Sequence, residues 1–282
     1  MPEGNIVILA GGISSRMRSS SATTIDEQLR HDAETKSKSM IRIGNGNRPF
    51  LDVLLQNVHN AGYNDIVIVV NENDTSVRRY YESAKRLSIS FATQMIPPGR
   101  TKPLGTSDAL LQALVSKPEW RGHHFTVCNS DNLYSVRALK MLLGIDDGNA
   151  LIDYDRSALG FDRERIEQFA VLYKRADGAL LDILEKPSAD QVTKAQDANG
   201  RIGVGMNIFR FAYADIFPIL QIVPMHPVRK EQELPEAVRI MITQFPAAMK
   251  ALPLAEHVPD LTSQDDILHV KEFLKEMDSN VF

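Results

Sequence analysis

The sequence carries one cysteine, Cys128, among 282 residues. That excludes an intrachain disulfide and any zinc site built on clustered cysteines, and it suits a reducing compartment. Long apolar runs are missing too. Residues 66–70 are typical of the longest, far short of the roughly 20 residues that span a bilayer. The opening Met1-Pro2-Glu3-Gly4-Asn5 has neither the basic region nor the apolar stretch of a secretion signal, so a soluble, cytoplasmic protein is expected. No segment is a Lys/Arg block, and 32 basic against 36 acidic residues leave a net charge of −4. This argues against nucleic acid as a partner but leaves room for phosphate ligands, which need only a few local cations. Three motifs are also absent: Gly-x-Gly-x-x-Gly for a nicotinamide cofactor, Gly-Lys-Ser/Thr of a P-loop, and His-Glu-x-x-His of a zinc hydrolase. The pair His123-His124 has no third ligand in view and reads as a surface pair before a strand. Ser14 and Ser15 lack the His/Asp partners of a hydrolase triad.

What is present is an ordinary globular balance, 43% hydrophobic and 24% charged, far from the composition of disordered chains. Residues 5–10 form a short, nearly continuous apolar run, the pattern of a strand buried on both faces. Residues 65–70 repeat that pattern, and 90–94 and 125–128 read as a third and a fourth strand, with helices at 50–58, 75–87 and 106–115 between them. Such alternation predicts right-handed βαβ units and a doubly wound α/β sheet, with ligands at the carboxyl ends of the strands. Residues 18–38 are polar and read as a long mobile loop, with a helical turn near 26–31. After residue 145 the pattern shifts to strands at 150–154, 169–174, 180–184 and 204–210, a smaller, partly antiparallel addition. Helices follow at 234–243 and 264–277, the last starting behind Ser263 with Asp266 three residues on, like a capping box. No linker separates the parts, so a single domain is expected. Its two halves are residues 1–145 and 146–282.

The run Leu9-Ala10-Gly11-Gly12-Ile13-Ser14-Ser15-Arg16-Met17 carries the most chemistry. Paired glycines behind a buried strand let the backbone approach a ligand without Cβ atoms in the way. Their N–H groups and the hydroxyls of Ser14 and Ser15 can cradle an anion, and Arg16 adds a cation. A plain turn followed by a surface arginine is the competing reading.

This run resembles the signature loop of the sugar-phosphate nucleotidyltransferases, and further segments match that family in order across nearly the whole chain. They are Lys36-Ser37-Lys38-Ser39-Met40, Pro103-Leu104-Gly105-Thr106, Asn129-Ser130-Asp131-Asn132, Glu185-Lys186-Pro187, Gly205-Met206-Asn207-Ile208-Phe209, Glu233-Leu234-Pro235-Glu236-Ala237 and Val258-Pro259-Asp260-Leu261-Thr262. Four details depart from the family pattern: Arg16 and Lys38 stand 22 positions apart, more than the family spacing, no proline flanks Lys38, Ser130 replaces a glycine, and Val258 replaces a tryptophan. The resemblance implies a Rossmann-like mixed sheet of the GT-A-like nucleotide-diphospho-sugar transferase type. It implies a reaction in which a sugar-1-phosphate oxygen attacks the α-phosphorus of a nucleoside triphosphate and releases pyrophosphate. It implies catalytic Arg16, Lys38 (with Lys36 as the alternative) and Asp131. Leu9, Ala10, Gly11, Gly12, Ser14, Ser15, Gly105 and Thr106 then bind nucleotide. Glu185, Lys186, Gly205 and Asn207 bind the sugar phosphate, and Asp131 with Asp260 binds Mg²⁺.

Each residue also has an ordinary structural role open to it. Asp131 can cap the helix near Val136, Asp260 can form a turn, Thr106 can cap its own helix, and Glu185-Lys186 can end an exposed strand. Two other functions compete. A glycosyltransferase usually needs Asp-x-Asp at the strand end, where this chain has Asn129. A non-catalytic nucleotide-sugar sensor needs no such set of Arg16, Lys38 and Asp131. Related enzymes accept alcohol phosphates such as phosphocholine, so acceptor and base both stay open, as does a homo-oligomeric state.

Overall fold

The computed structural model describes residues 4–12, 15–19, 25–82 and 87–279. The chain runs β1 (Asn5–Leu9), α1 (Ser15–Ser19), α2 (Glu27–Thr35), β2 (Arg42–Gly44), β3 (Arg48–Pro49), α3 (Phe50–Ala61), β4 (Asp65–Asn71), α4 (Ser76–Tyr81), β5 (Ile89–Gln94), α5 (Thr106–Ser116) and β6 (His124–Asn129). It continues through α6 (Val136–Leu143), β7 (Asn149–Asp155), α7 (Arg163–Ile166), β8 (Val171–Lys174), β9 (Leu180–Leu184), α8 (Ala189–Lys194), β10 (Gly203–Ala212), α9 (Tyr213–Leu220), α10 (Leu234–Gln244), β11 (Met249–Leu254) and α11 (Asp266–Ser279).

Ile6, Val7 and Ile8 of β1 are wholly buried, and each such side chain contributes about 1.5–3 kcal/mol. A strand apolar on both faces needs cover on both. Ile6 and Ile8 pack into a core with Leu51 and Leu54 of α3 and Leu139 and Leu142 of α6. Val7 and Leu9 face the other core, with Leu110 and Leu114 of α5, Ile216 of α9 and Met241 of α10. The main sheet has the order β11-β7-β10-β6-β1-β4-β5, with the β8–β9 pair attached to β10; β2 and β3 form a separate small sheet. β1 is parallel to both β4 and β6, whereas β10 is antiparallel to β6 and β7. The α/β sheet expected from the sequence is therefore the one observed, and the antiparallel strands after residue 145 extend it. From β1 the chain winds outward to β4 and β5, then returns to β6 on the opposite side. That reversal makes the carboxyl end of β1 the crevice where such sheets take ligands.

Several details differ from the sequence expectation. Residues 18–38 do not form one long loop, because α2 occupies nine of them. Asp26 caps that helix by accepting from the Leu29 N–H at 2.8 Å. The buried Asp32 then takes Arg42 Nε at 2.7 Å, Arg42 Nη2 at 3.0 Å and Lys36 Nζ at 2.9 Å. An anchor made of a charge is invisible to apolar periodicity. α4 is only six residues long, where a helix over 75–87 was expected; residues 83–86 lie outside the described residues. Its start is held by Asp74, whose carboxylate accepts from the N–H and hydroxyl of Ser76 at 2.8 Å. α11 begins at Asp266, two residues later than expected. Ser263 does not cap it; Asp266 reaches back to the N–H groups of Thr262 and Ser263 at 2.9 and 2.6 Å. The sequence reading missed α9, which carries Pro218 in its interior, and β11, an edge strand containing Pro253.

Candidate active site

The glycine bend meets the tips of β4, β5 and β6. Gly11 is held by Asn71, whose amide donates to its carbonyl at 3.1 Å. A Cβ at Gly11 would stand 3.0 Å from Gln94 Oε1, whereas one at Gly12 would meet nothing within 4 Å. Gly11 is thus closely packed, and Gly12 leaves its side of the bend open. Ile13 and Ser14 lie outside the described residues. Ser15 opens α1, and Arg16 follows one residue later on its exposed side. Gly105 precedes α5 with φ +115°, and a Cβ there would come within 2.5 Å of the Gln232 carbonyl, so only glycine fits. The Thr106 hydroxyl accepts from the Leu234 N–H at 2.9 Å, joining α5 to α10 rather than capping its own helix.

Two cavities open here. One of about 290 Å³ is lined by Leu9, Ala10, Gly11, Gly12, Lys38, Gln94, Gly105 and Thr106. The other, about 510 Å³, is lined by Glu185, Lys186, Gly205, Asn207, Arg165, Arg229 and Asp260. Arg16, Asn129 and Asp131 line both, so the cavities share a wall. At that wall Lys38 Nζ lies 2.7 Å from Asp131 Oδ2. Lys36 instead pairs with Asp32, 2.9 Å away. Asp131 does not cap α6; Ser135 does, accepting from the Ala138 N–H at 3.0 Å.

Asp260 is brought beside Asp131 by backbone pairing. The Leu261 N–H donates to the Asp131 carbonyl at 2.8 Å, and Asn132 bridges to Asp260 in antiparallel fashion. Burial, and then the negative charge of Asp131, push the Asp260 carboxyl above the ordinary carboxylate range, against the pull of Arg165 and Lys38. Two carboxylates held this close favour a cation between them. In the wall of the larger cavity, β10 shifts register between Gly205 and Phe209, and Asn207 takes φ +52°. This irregularity turns the exposed Asn207 out of the ladder. Tyr134 fixes it by donating to the carbonyls of Met206 and Asn207 at 2.8 and 3.2 Å. Glu185 Oε2 takes both Arg229 Nη atoms at 3.3 and 3.4 Å.

Three side chains in these walls escaped the sequence reading. Gln94 donates from Nε2 to the Gly105 carbonyl at 2.8 Å and to Asp108 Oδ2 at 2.7 Å. Its Oε1 therefore faces the glycine bend as a fixed acceptor. Its place at the carboxyl end of β5 was the available signal. Arg165 and Arg229 come from loop-rich segments where nothing in the sequence sets one arginine apart from its neighbours. His123 and His124 stand at the opposite end of β6 from Asn129, and His124 Nε2 lies 3.5 Å from Asp147. Among the described residues no group of three or more His, Cys, Asp or Glu is placed to hold a metal. Cys128 is buried one strand residue before Asn129, and burial pushes its thiol far up.

The family model for nucleotidyl transferases matches residues 5–213. The chain belongs to that family. Nucleotidyl transferase relatives include the "Bifunctional protein GlmU" of Symbiobacterium thermophilum, 26% identical over 224 residues, which cover 78% of this chain and 43% of that protein. The "Glucose-1-phosphate adenylyltransferase" of Anaeromyxobacter dehalogenans is 25% identical over 68% of this chain and 44% of its own length. The "Glucose-1-phosphate adenylyltransferase 1" of Vibrio vulnificus is 27% identical over 72% and 48%. The chain thus spans less than half of each of these relatives. A UDP-glucose pyrophosphorylase solved with UDP-glucose shares the fold, with a TM-score of 0.67 and 16% identity over 98% of this chain and 99% of that one.

Proposed function

We propose that this nucleotidyl transferase joins a nucleoside triphosphate to a sugar-1-phosphate, or a similar small phosphate, and releases pyrophosphate. One observation carries the reading: Lys38 and Asp131 meet at 2.7 Å on the wall shared by two cavities, with Arg16 lining both. A reaction between two substrates needs such a wall, and two polyanions need cations on it.

In this reading the triphosphate lies in the smaller cavity over Gly11 and Gly12, with its base toward Gln94 and Thr106. The acceptor occupies the larger cavity, with hydroxyls toward Glu185 and Asn207 and its phosphate toward Lys186. An acceptor oxygen forms a bond to the α-phosphorus as the bond to the β-phosphate oxygen breaks, and pyrophosphate leaves with that electron pair. Little covalent chemistry falls to the protein, so its task is alignment and charge neutralisation. Arg16 presents a planar fork to the leaving oxygens. Lys38 supplies a movable point charge to the α-phosphate, for which it exchanges Asp131.

The Asp131–Asp260 pair fits Mg²⁺, a hard cation that takes one or two carboxylates and fills its shell with water and phosphate. In the structure each carboxylate carries a cation, Lys38 on Asp131 and Arg165 on Asp260, so the pair calls for positive charge beside it. Bound there, the ion would polarise the α-phosphoryl oxygens. We further propose that the chain works as one domain, residues 1–145 presenting nucleotide and 146–282 the acceptor. No described helix is long and apolar enough to cross a membrane. The mild acidity argues against nucleic acid as a partner, and the family resemblance is compatible with a cytoplasmic homo-oligomer acting on small molecules.

A pyrophosphate-release matrix tests the reading. Common nucleoside triphosphates are crossed with hexose-1-phosphates and alcohol phosphates in the presence of Mg²⁺. Release in at least one pairing, dependent on both substrates, is the expected result. Nucleotide binding without release from any pairing points to a sensor instead.

A further inference from the structure

Arg165 stands at the deepest carboxylates of the acceptor cavity, and no family motif marks it. It lies in the single turn α7, whose start is fixed by Asp162 accepting from the Arg165 N–H at 2.8 Å. Its guanidinium packs 4.5 Å over the ring of Phe161, which contacts Phe169 and His257 edge-on. From this seat Nη2 donates to Asp260 Oδ2 at 2.8 Å, and Nη1 pairs with Asp266. Asp266 is occupied in its own right by the N–H groups of Thr262 and Ser263, so it is a fixed post. Asp260 is the carboxylate beside Asp131. Two cations therefore stand on two neighbouring carboxylates, Lys38 on Asp131 and Arg165 on Asp260.

We propose that Arg165 is a binding residue for the acceptor phosphate, held in reserve on Asp260 until a divalent ion takes that carboxylate. This rests on the reading that Asp131 and Asp260 hold the ion. The charge count is the core of the argument. Two carboxylates are matched by Lys38 and Arg165 in the structure. An ion of charge +2 replaces both, which frees two cations as two phosphates enter. Arg165 stays anchored through Nη1 on Asp266, so it pivots without leaving the cavity. It lines the larger cavity and not the smaller one, so the phosphate it reaches is the acceptor's. A planar fork holds Asp266 and a phosphate at once; an ammonium holds one of them.

Two equilibrium measurements test this in the intact protein without turnover. Free Mn²⁺ is followed by electron paramagnetic resonance during titration of the wild type, R165Q, R165K and D131N. Inorganic phosphate, the group common to every candidate acceptor, is titrated by calorimetry into protein saturated with Mg²⁺. R165Q should bind Mn²⁺ about tenfold more tightly, because its competitor is gone, and phosphate about tenfold more weakly. R165K, which keeps a cation on Asp260, should bind Mn²⁺ within about threefold of wild type yet recover phosphate binding only in part. If R165Q unfolds, the R165K pair of measurements stands alone, and wild-type phosphate affinity in R165K overturns the proposal. Unchanged or weaker Mn²⁺ binding in R165Q overturns it too, as does a wild type that binds no phosphate. A wild type that binds Mn²⁺ no better than D131N overturns the two-carboxylate reading along with it.

Discussion

In the proposed reaction, charge handling falls to Asp131 and Lys38. Substituting Asp131→Asn removes a ligand charge but keeps the shape, and Ser135, not Asp131, caps α6. D131N should therefore lose Mg²⁺-dependent turnover while its circular dichroism and thermal midpoint stay near wild type; near-normal activity would take Asp131 out of the site. Lys38→Ala should lower kcat by about 10²–10³, the usual cost of a preorganised charge donor. Lys36→Ala should stay within about threefold of wild type, because Lys36 serves Asp32. A reversed order in steady-state assays would contradict the assignment. Residues with a fixed chemical demand were legible in the sequence: paired glycines, an arginine behind them, a carboxylate at a strand tip. Gln94 was not, since its role comes from Gly105 and Asp108 orienting its amide. Nor was Arg165, whose partners Asp260 and Asp266 are about a hundred positions away.

At the scale of elements, the site depends on loops strapped to one another. The turn before α5 is tied to the segment before α10 by Ser107 N–H to the Gln232 carbonyl at 3.0 Å and Gln232 N–H to Leu104 at 2.5 Å. Gly105→Ala strains a φ of +115° and drives a Cβ into the Gln232 carbonyl. It should cost about 1–3 kcal/mol in chemical denaturation and weaken nucleotide more than acceptor binding. Wild-type stability in that variant would mean the strap is slack. Elements whose pattern was plainly apolar were legible to within a residue or two, as β4 and α5 are. α2 and β11 were not. The first is anchored by a buried charge, and the second alternates buried and exposed residues with a lysine and a proline among them.

For the molecule as a whole, the buried Asp32 gives a pH signature. Burial alone would raise its carboxyl, but hydrogen bonds from Arg42 and Lys36 outweigh this and hold it below the ordinary 3.8. Its depressed value means the folded state favours the ionised form. Its contribution is therefore complete above 3.8 and lost as pH falls through the lower folded value. Asp32→Asn should be less stable than wild type by about 1–3 kcal/mol at neutral pH. That gap, read from urea denaturation, should shrink below pH 3.8; a gap that widens there would contradict the account. Hydrogen exchange over residues 26–36 should quicken in the same variant, since α2 loses its anchor to β2.

The central claim concerns where two polyanions meet, and a crystal structure with a non-hydrolysable nucleoside triphosphate and Mg²⁺ tests it directly. The account predicts triphosphate density against Gly11 and Gly12, with the α-phosphorus facing Asp131 and Lys38 and the terminal phosphates within reach of Arg16. Triphosphate bound in another cavity, with the glycine bend bare, would contradict it.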